Sequence, residues 1–136
     1  MTVQDYLKQY NNHKRRINYY LEEYEHEANV IKEIQKNLNV IPTKQRRKAE
    51  ENLDKCVMFC NGLKDRAKES ANMMNEIQAM IESIPGLEGE ILKLRYIDGL
   101  IWEDICEIVN YSWRGVFQKH DKALQMVEER LENKQY

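Results

Sequence analysis

Breaks are scarce in this sequence. Five glycines and two prolines in 136 residues leave few places to turn, so long uninterrupted elements are the expectation. No apolar run approaches the ~20 residues that carry a helix across a bilayer, which excludes a transmembrane segment of that kind. The N-terminus lacks an apolar signal core, and the expected location is therefore the cytoplasm. Cysteine is scarce and odd in number, three in all, which fits reduced thiols there better than a disulfide framework. Cys56 and Cys60 stand four apart, but no second Cys/His pair completes the four ligands of a structural zinc site, and His13, His26 and His120 are isolated along the chain. A phosphate-cradling glycine loop, a nucleophile elbow and paired acids placed for a cleft are all missing. The sequence therefore reads as a non-enzyme with no cofactor and no metal. An excess of positive charge is missing too. Against 23 Asp and Glu stand 21 Lys and Arg, a net charge of -2, which excludes a protein that coats nucleic acid non-specifically.

What remains is charge laid over regular apolar spacing. Charged residues make up 32% and hydrophobic residues 42%, and the mean hydropathy is -0.79. That mixture suits helices with one apolar stripe and wide solvated faces. From Val3 to Leu38 the positions Val3, Leu7, Tyr10, Lys14, Ile17, Leu21, Tyr24, Ala28, Ile31, Gln35 and Leu38 alternate steps of four and three, with only Lys14 and Gln35 outside the general apolar run. An average step of 3.5 is the coiled-coil signature. Pro42 then breaks the pattern and Thr43 is placed to cap a new helix. Lys44, Arg46, Arg47 and Lys48 follow, either as a solvated first turn or as a contact for phosphate or an acidic partner. Basic residues oppose the dipole at a helix start. A cleaner repeat occupies Ala49, Leu53, Cys56, Cys60, Leu63, Ala67, Ser70, Met74, Ile77, Ile81 and Ile84. The short link favours pairing the two helices as an antiparallel hairpin. Tyr19, Tyr20, Val57, Phe59, Met73 and Met80 are left over by this seam, and they predict a further helical partner, most simply a second copy of the chain in a homodimer.

Pro85 and Gly86 hinge the second helix to the remainder, dividing the chain into 1–84 and 85–136. Leu87, Ile91, Leu94 and Ile97 share one helix face, and Gly99 stops that helix. Trp102, Ile105, Cys106 and Val109 form a second short apolar face. Asn110, Tyr111 and Ser112 make a turn, with Ser112 placed to cap a third helix whose inward face is Val116, Ala123, Leu124 and Val127. The pattern predicts an all-α protein: a long antiparallel helical hairpin (coiled coil), then a small three-helix helix-turn-helix module.

The stretch ILKLRYIDGLIWEDICEIVNYSWRGVFQKHDKAL resembles region four of the bacterial sigma-factor superfamily. Small proteins of Gram-positive phages and prophages join such a C-terminus to a long helical N-terminus, and the opening VQDYLKQYNNHKRRIN resembles theirs. The resemblance implies binding to double-stranded DNA, control of phage transcription in the host bacterial cytoplasm and contact with host RNA polymerase. The sequence departs from the family at three places. Ile101 stands where a capping Ser or Thr is usual, Gly115 lies inside the third helix, and Lys119 replaces a common apolar residue.

A recognition helix of this kind enters the major groove N-terminus first. Its exposed start would be Trp113, Arg114, Phe117 and Gln118, following Ser112. Arg114 suits guanine and Gln118 suits adenine, through paired hydrogen-bonding groups. Lys119 and Lys122 suit phosphates, which set position without reading sequence. Trp113 and Phe117 stand four apart and should stack along one helix edge, either exposed or covering a neighbouring helix or partner. From Ile84 onward seven basic residues face ten acidic ones, so the module alone should bind weakly, and a dimer or a polymerase partner is implied. A second reading makes the chain a protein-binding adaptor or inhibitor of a host complex, with the helix-turn-helix kept as scaffold. A third, a purely structural coiled coil, leaves the three-helix pattern unexplained.

Overall fold

The computed structural model describes residues 1–134, and among them the chain is all-helical, without a strand. Two long helices, α1 (Val3–Leu38) and α2 (Thr43–Glu82), precede three shorter ones: α3 (Gly86–Leu92), α4 (Trp102–Val109) and α5 (Trp113–Lys134). The start of α1 is closed reciprocally. The Thr2 hydroxyl accepts the Asp5 N–H at 3.1 Å, and the Asp5 carboxylate accepts the Thr2 N–H at 3.2 Å. At the start of α2 the structure corrects the sequence reading. Thr43 is the first helical residue, and the Pro42 carbonyl accepts the N–H groups of Gln45 (2.8 Å) and Arg46 (3.1 Å). Pro42 holds the flanking position, where a residue without an N–H loses nothing.

The chain forms two compact units. One, Arg15–Ala71, consists of α1 and α2 packed together. Cys60, Leu63, Ala67 and Ser70 are its buried residues on α2, with Ile17, Tyr20, Tyr24, Ala28, Ile31 and Ile34 half-buried on α1. Burial pushes the Cys60 thiol pKa up, helped by the nearby Glu27 carboxylate, and Ile34 shares a shallow hollow with Ala49. Every seam position predicted on α2 is buried or half-buried. On α1 the seam wanders, because a strict seven-residue repeat drifts around a straight helix by ~20° per heptad. Lys14, Leu21 and Gln35 are exposed, and their neighbours His13, Tyr20 and Ile34 are turned further inward. Of the residues left for a partner, Tyr19, Val57, Phe59 and Met73 are exposed. Tyr20 is half-buried, and Met80 is a correction: it is buried within its own chain.

The other unit joins Met1–Lys14 to the chain from Asn72 onward. The sequence division at 84/85 follows a helix end, whereas the packing groups the ends of both long helices with α3, α4 and α5. Two apolar clusters fill this unit. The first gathers Leu7, Tyr10, Ile77, Met80 and Ile81 of the long helices with Ile84, Leu92, Tyr96, Ala123 and Val127. The second is smaller, with Ile91, Ile105 and Val116 at its centre and Leu87, Leu94, Trp102, Cys106 and Val109 around them. α3 serves both clusters, and it continues as a π-helical turn over Lys93–Ile97. There the Asp98 N–H reaches the Lys93 carbonyl at 3.0 Å, five residues back. Leu92 of α3 and Tyr96 of this turn lie in the first cluster, and Ile91 of α3 and Leu94 of the turn in the second. The Asn11 side-chain amide donates to the Tyr96 carbonyl at 3.2 Å. Gly99, at a φ of +72° that few L side chains adopt, ends the segment as the sequence predicts. Gly89 has a steric role instead: a Cβ there would collide with the Ile84 backbone carbonyl.

Candidate functional site

The face to which the sequence assigns function is built by α4, the turn after it, and α5. Ile101 flanks the start of α4 without a side-chain cap, and Glu103 and Asp104 in the first turn offset this by lying at the positive end of the helix dipole. It ends on Asn110, which is left-handed at a φ of 57°, a conformation that asparagine tolerates better than most residues. The Tyr111 N–H folds back to the Cys106 carbonyl at 3.2 Å. Ser112 then caps α5 as predicted, its hydroxyl accepting the Gly115 N–H at 3.1 Å. Gly115 has a reason of its own. A Cβ there would come within 3.2 Å of the Tyr111 ring, so the glycine lets that ring lie over the start of α5.

Trp113, Arg114, Phe117 and Gln118 are exposed on the first two turns of α5. The rings of Trp113 and Phe117 stand 5.8 Å apart. Phe117 also leans on Trp102 of α4, at 4.8 Å between centroids, while 38% of it stays exposed. Phe117 therefore both covers a neighbouring helix and contributes to the surface. Lys119 and Lys122 have a partner that the sequence did not suggest. Both ammonium groups approach one Glu88 oxygen, at 3.5 and 3.6 Å. Its own backbone N–H, and then the two lysines, hold the Glu88 carboxyl below the ordinary carboxylate pKa against the opposing effect of burial. The Lys122 side chain remains well exposed beyond that contact, and that of Lys119 less so.

Beneath this face lies a polar and aromatic cluster that the sequence reading missed. His120, isolated in the sequence, is buried, with its Nε2 2.8 Å from the Tyr96 hydroxyl. Its ring meets Trp102 edge-on at 4.8 Å. Arg95 lies over the other ring system of this cluster, its guanidinium carbon 4.7 Å from the Trp102 centroid, and donates to the Leu100 carbonyl at 2.9 Å. Burial lowers the His120 pKa and raises that of Tyr96. Both shifts favour the uncharged forms, and the two groups share one hydrogen bond whose donor is set by the imidazole tautomer. The spacing of Tyr96 and His120 on separate helices gave no signal of this pairing.

Arg114 and Gln118 carry side chains that can form paired hydrogen bonds, beside an apolar ledge of Trp113 and Phe117. Among the described residues no three His, Cys, Asp or Glu side chains gather to hold a metal ion, and no helix is long and apolar enough to cross a membrane. Compared with known protein families, curated proteins and solved structures, the chain matches none.

The buried imidazole sets a pH dependence. Its folded pKa lies below the ordinary 6.5, so folding binds fewer protons than the unfolded chain does. The contribution is complete above pH 6.5 and is lost as pH falls through the folded value. Glu88, depressed from 4.5, acts in the same direction at lower pH. The urea midpoint should therefore fall between pH 7.5 and 5.5, and His120→Gln should flatten that part of the profile. An equal slope in wild type and variant would assign the effect elsewhere.

Proposed function

We propose that this protein is a DNA-binding transcription regulator of a phage or prophage, built like sigma region four. In this reading α4, the Asn110 turn and α5 form a helix-turn-helix whose second helix lies in the major groove, and α1 and α2 form an antiparallel hairpin that makes the chain a homodimer in the host cytoplasm. The observation that carries the reading is the start of α5. A left-handed turn and a serine cap lead directly into a helix that exposes Arg114 and Gln118 one turn apart. That is where a recognition helix presents its base-reading side chains. Arg114 would pair with guanine and Gln118 with adenine. Lys122 would reach phosphate from the exposed side of its Glu88 contact. Host RNA polymerase is the proposed protein partner.

Binding of labelled phage promoter fragments tests this. Arg114→Ala and Gln118→Ala should each change sequence preference, at about 1–3 kcal/mol per lost bidentate contact. Lys122→Ala should weaken all sequences evenly and reduce the salt slope by about one ion. Glu88→Gln should act oppositely, freeing Lys119 and Lys122 and strengthening binding at low salt. If every variant binds as wild type does, this face is not the reader.

One observation favours a second reading, a protein-binding adaptor or inhibitor of a host complex. Trp113, Phe117 and Ile108 expose apolar surface, and the acidic Glu103, Asp104 and Glu107 stand exposed on α4. Aromatic surface of this kind anchors protein interfaces. A pull-down from host lysate that recovers an unrelated complex, with no polymerase and no promoter binding, would select it.

A further inference from the structure

The unit Arg15–Ala71 carries two stripes, exposed at Tyr19, Glu33, Lys55, Phe59 and Arg66 and half-buried at Glu23, Val30 and Gly62, whose chemistries complement each other. On α2, Lys55, Phe59, Gly62 and Arg66 recur at steps of four, three and four, each one residue before a buried or half-buried seam position. With Met58 they line a shallow hollow. On α1, Tyr19, Glu23, Val30 and Glu33 likewise each precede an inward-turned residue. When two helices run in opposite directions, stripes offset equally from the shared seam fall on the same side of the pair.

Their chemistry is complementary. From Tyr19 to Glu33, α1 has five acidic residues and one basic, and from Lys44 to Lys68, α2 has eight basic and four acidic. Glu23 and Glu33 are ten positions apart, and Lys55 and Arg66 eleven, or about 15 and 16 Å along a helix. Laid antiparallel, the two carboxylates meet the two cations at once and Val30 falls opposite Phe59. Gly62 adds an independent observation. It sits in mid-helix, where glycine costs about 1 kcal/mol relative to alanine, yet a Cβ there would meet nothing within 4 Å. Packing within the chain does not require it, whereas the close approach of another helix would.

We infer that this side of the helix pair is the homodimer surface, with α1 of each copy lying against α2 of the other in a two-fold four-helix arrangement. This deepens the DNA-binding reading, and rests on it for the purpose of the dimer but not for its contacts.

Light scattering on the full chain without DNA tests the inference separately from promoter binding. Wild type should be dimeric. Gly62→Leu should remain helical by circular dichroism and melt no lower as a monomer, yet dimerise at least tenfold more weakly. Lys55→Glu/Arg66→Glu and Glu23→Lys/Glu33→Lys should each be monomeric alone and form a heterodimer when mixed, since every contact then pairs opposite charges again. A monomeric wild type, an undisturbed Gly62→Leu dimer, or charge variants that do not rescue each other would overturn the inference.

Discussion

Gly89→Ala is expected to cost about 3 kcal/mol of folding stability, the upper end of what overpacking usually costs. The reason is the nature of the obstacle. The added methyl would overlap the Ile84 backbone carbonyl, and backbone cannot rotate aside as a side chain can. Gly89 is buried in α3, two residues before Ile91 and three before Leu92, both fully buried. Relief would have to lift α3 away from the end of α2 and disturb both apolar clusters. Urea denaturation followed by circular dichroism measures this, and Gly62→Ala is the matched control. With no atom of its own chain within 4 Å of the added Cβ, that variant should gain about 1 kcal/mol through helix propensity when unfolding is followed on the monomer, at protein concentrations low enough to dissociate any dimer. A loss below about 1 kcal/mol for Gly89→Ala would mean that α3 slides past Ile84 without strain.

Trp102→Ala should cost a similar amount, about 3 kcal/mol, the low end for losing a tryptophan because this one is only half-buried. Its ring touches Phe117 and His120 and lies under Arg95. Removing it takes away the wall that keeps water from the imidazole. The stability loss should therefore come with a second signature: the His120 pKa, followed by NMR titration, should move back toward 6.5. Trp102→Phe should keep most of the stability and the low pKa. A Trp102→Ala variant that is destabilised with an unchanged His120 titration would show that Tyr96 and burial elsewhere hold the imidazole neutral.

These residues also mark where the sequence was readable. The α2 seam could be taken directly from its repeat, and so could the Gly99 stop and the Ser112 cap, because each depends on residues close in the chain. The α1 seam was legible in outline but slipped at Lys14, Leu21 and Gln35, where drift of a 3.5-residue pattern brings His13, Tyr20 and Ile34 further inward. His120 was passed over because a polar residue interrupts an apolar stripe, and its partner Tyr96 lies on another helix, 24 residues away. Gly89 gave no signal in the sequence, since the clash with the Ile84 carbonyl depends on how the chain turns at Pro85 and Gly86. The pairing of Lys119 and Lys122 with Glu88 was hidden for the same reason. The exposed start of α5 was legible, because capping and spacing determine it.

The π-helical turn after α3 bears on how this chain could change over evolutionary time. The segment from α3 through this turn belongs to two cores, and its Leu92 and Tyr96 pack with Leu7 and Tyr10 from the opposite end of the sequence and with Ile81. A fragment cut at Pro85 would leave those side chains facing water. The C-terminal portion is therefore no interchangeable cassette: recombination that grafts a new stalk must also bring the few residues that meet Leu92 and Tyr96, or the transplanted segment arrives with its floor removed.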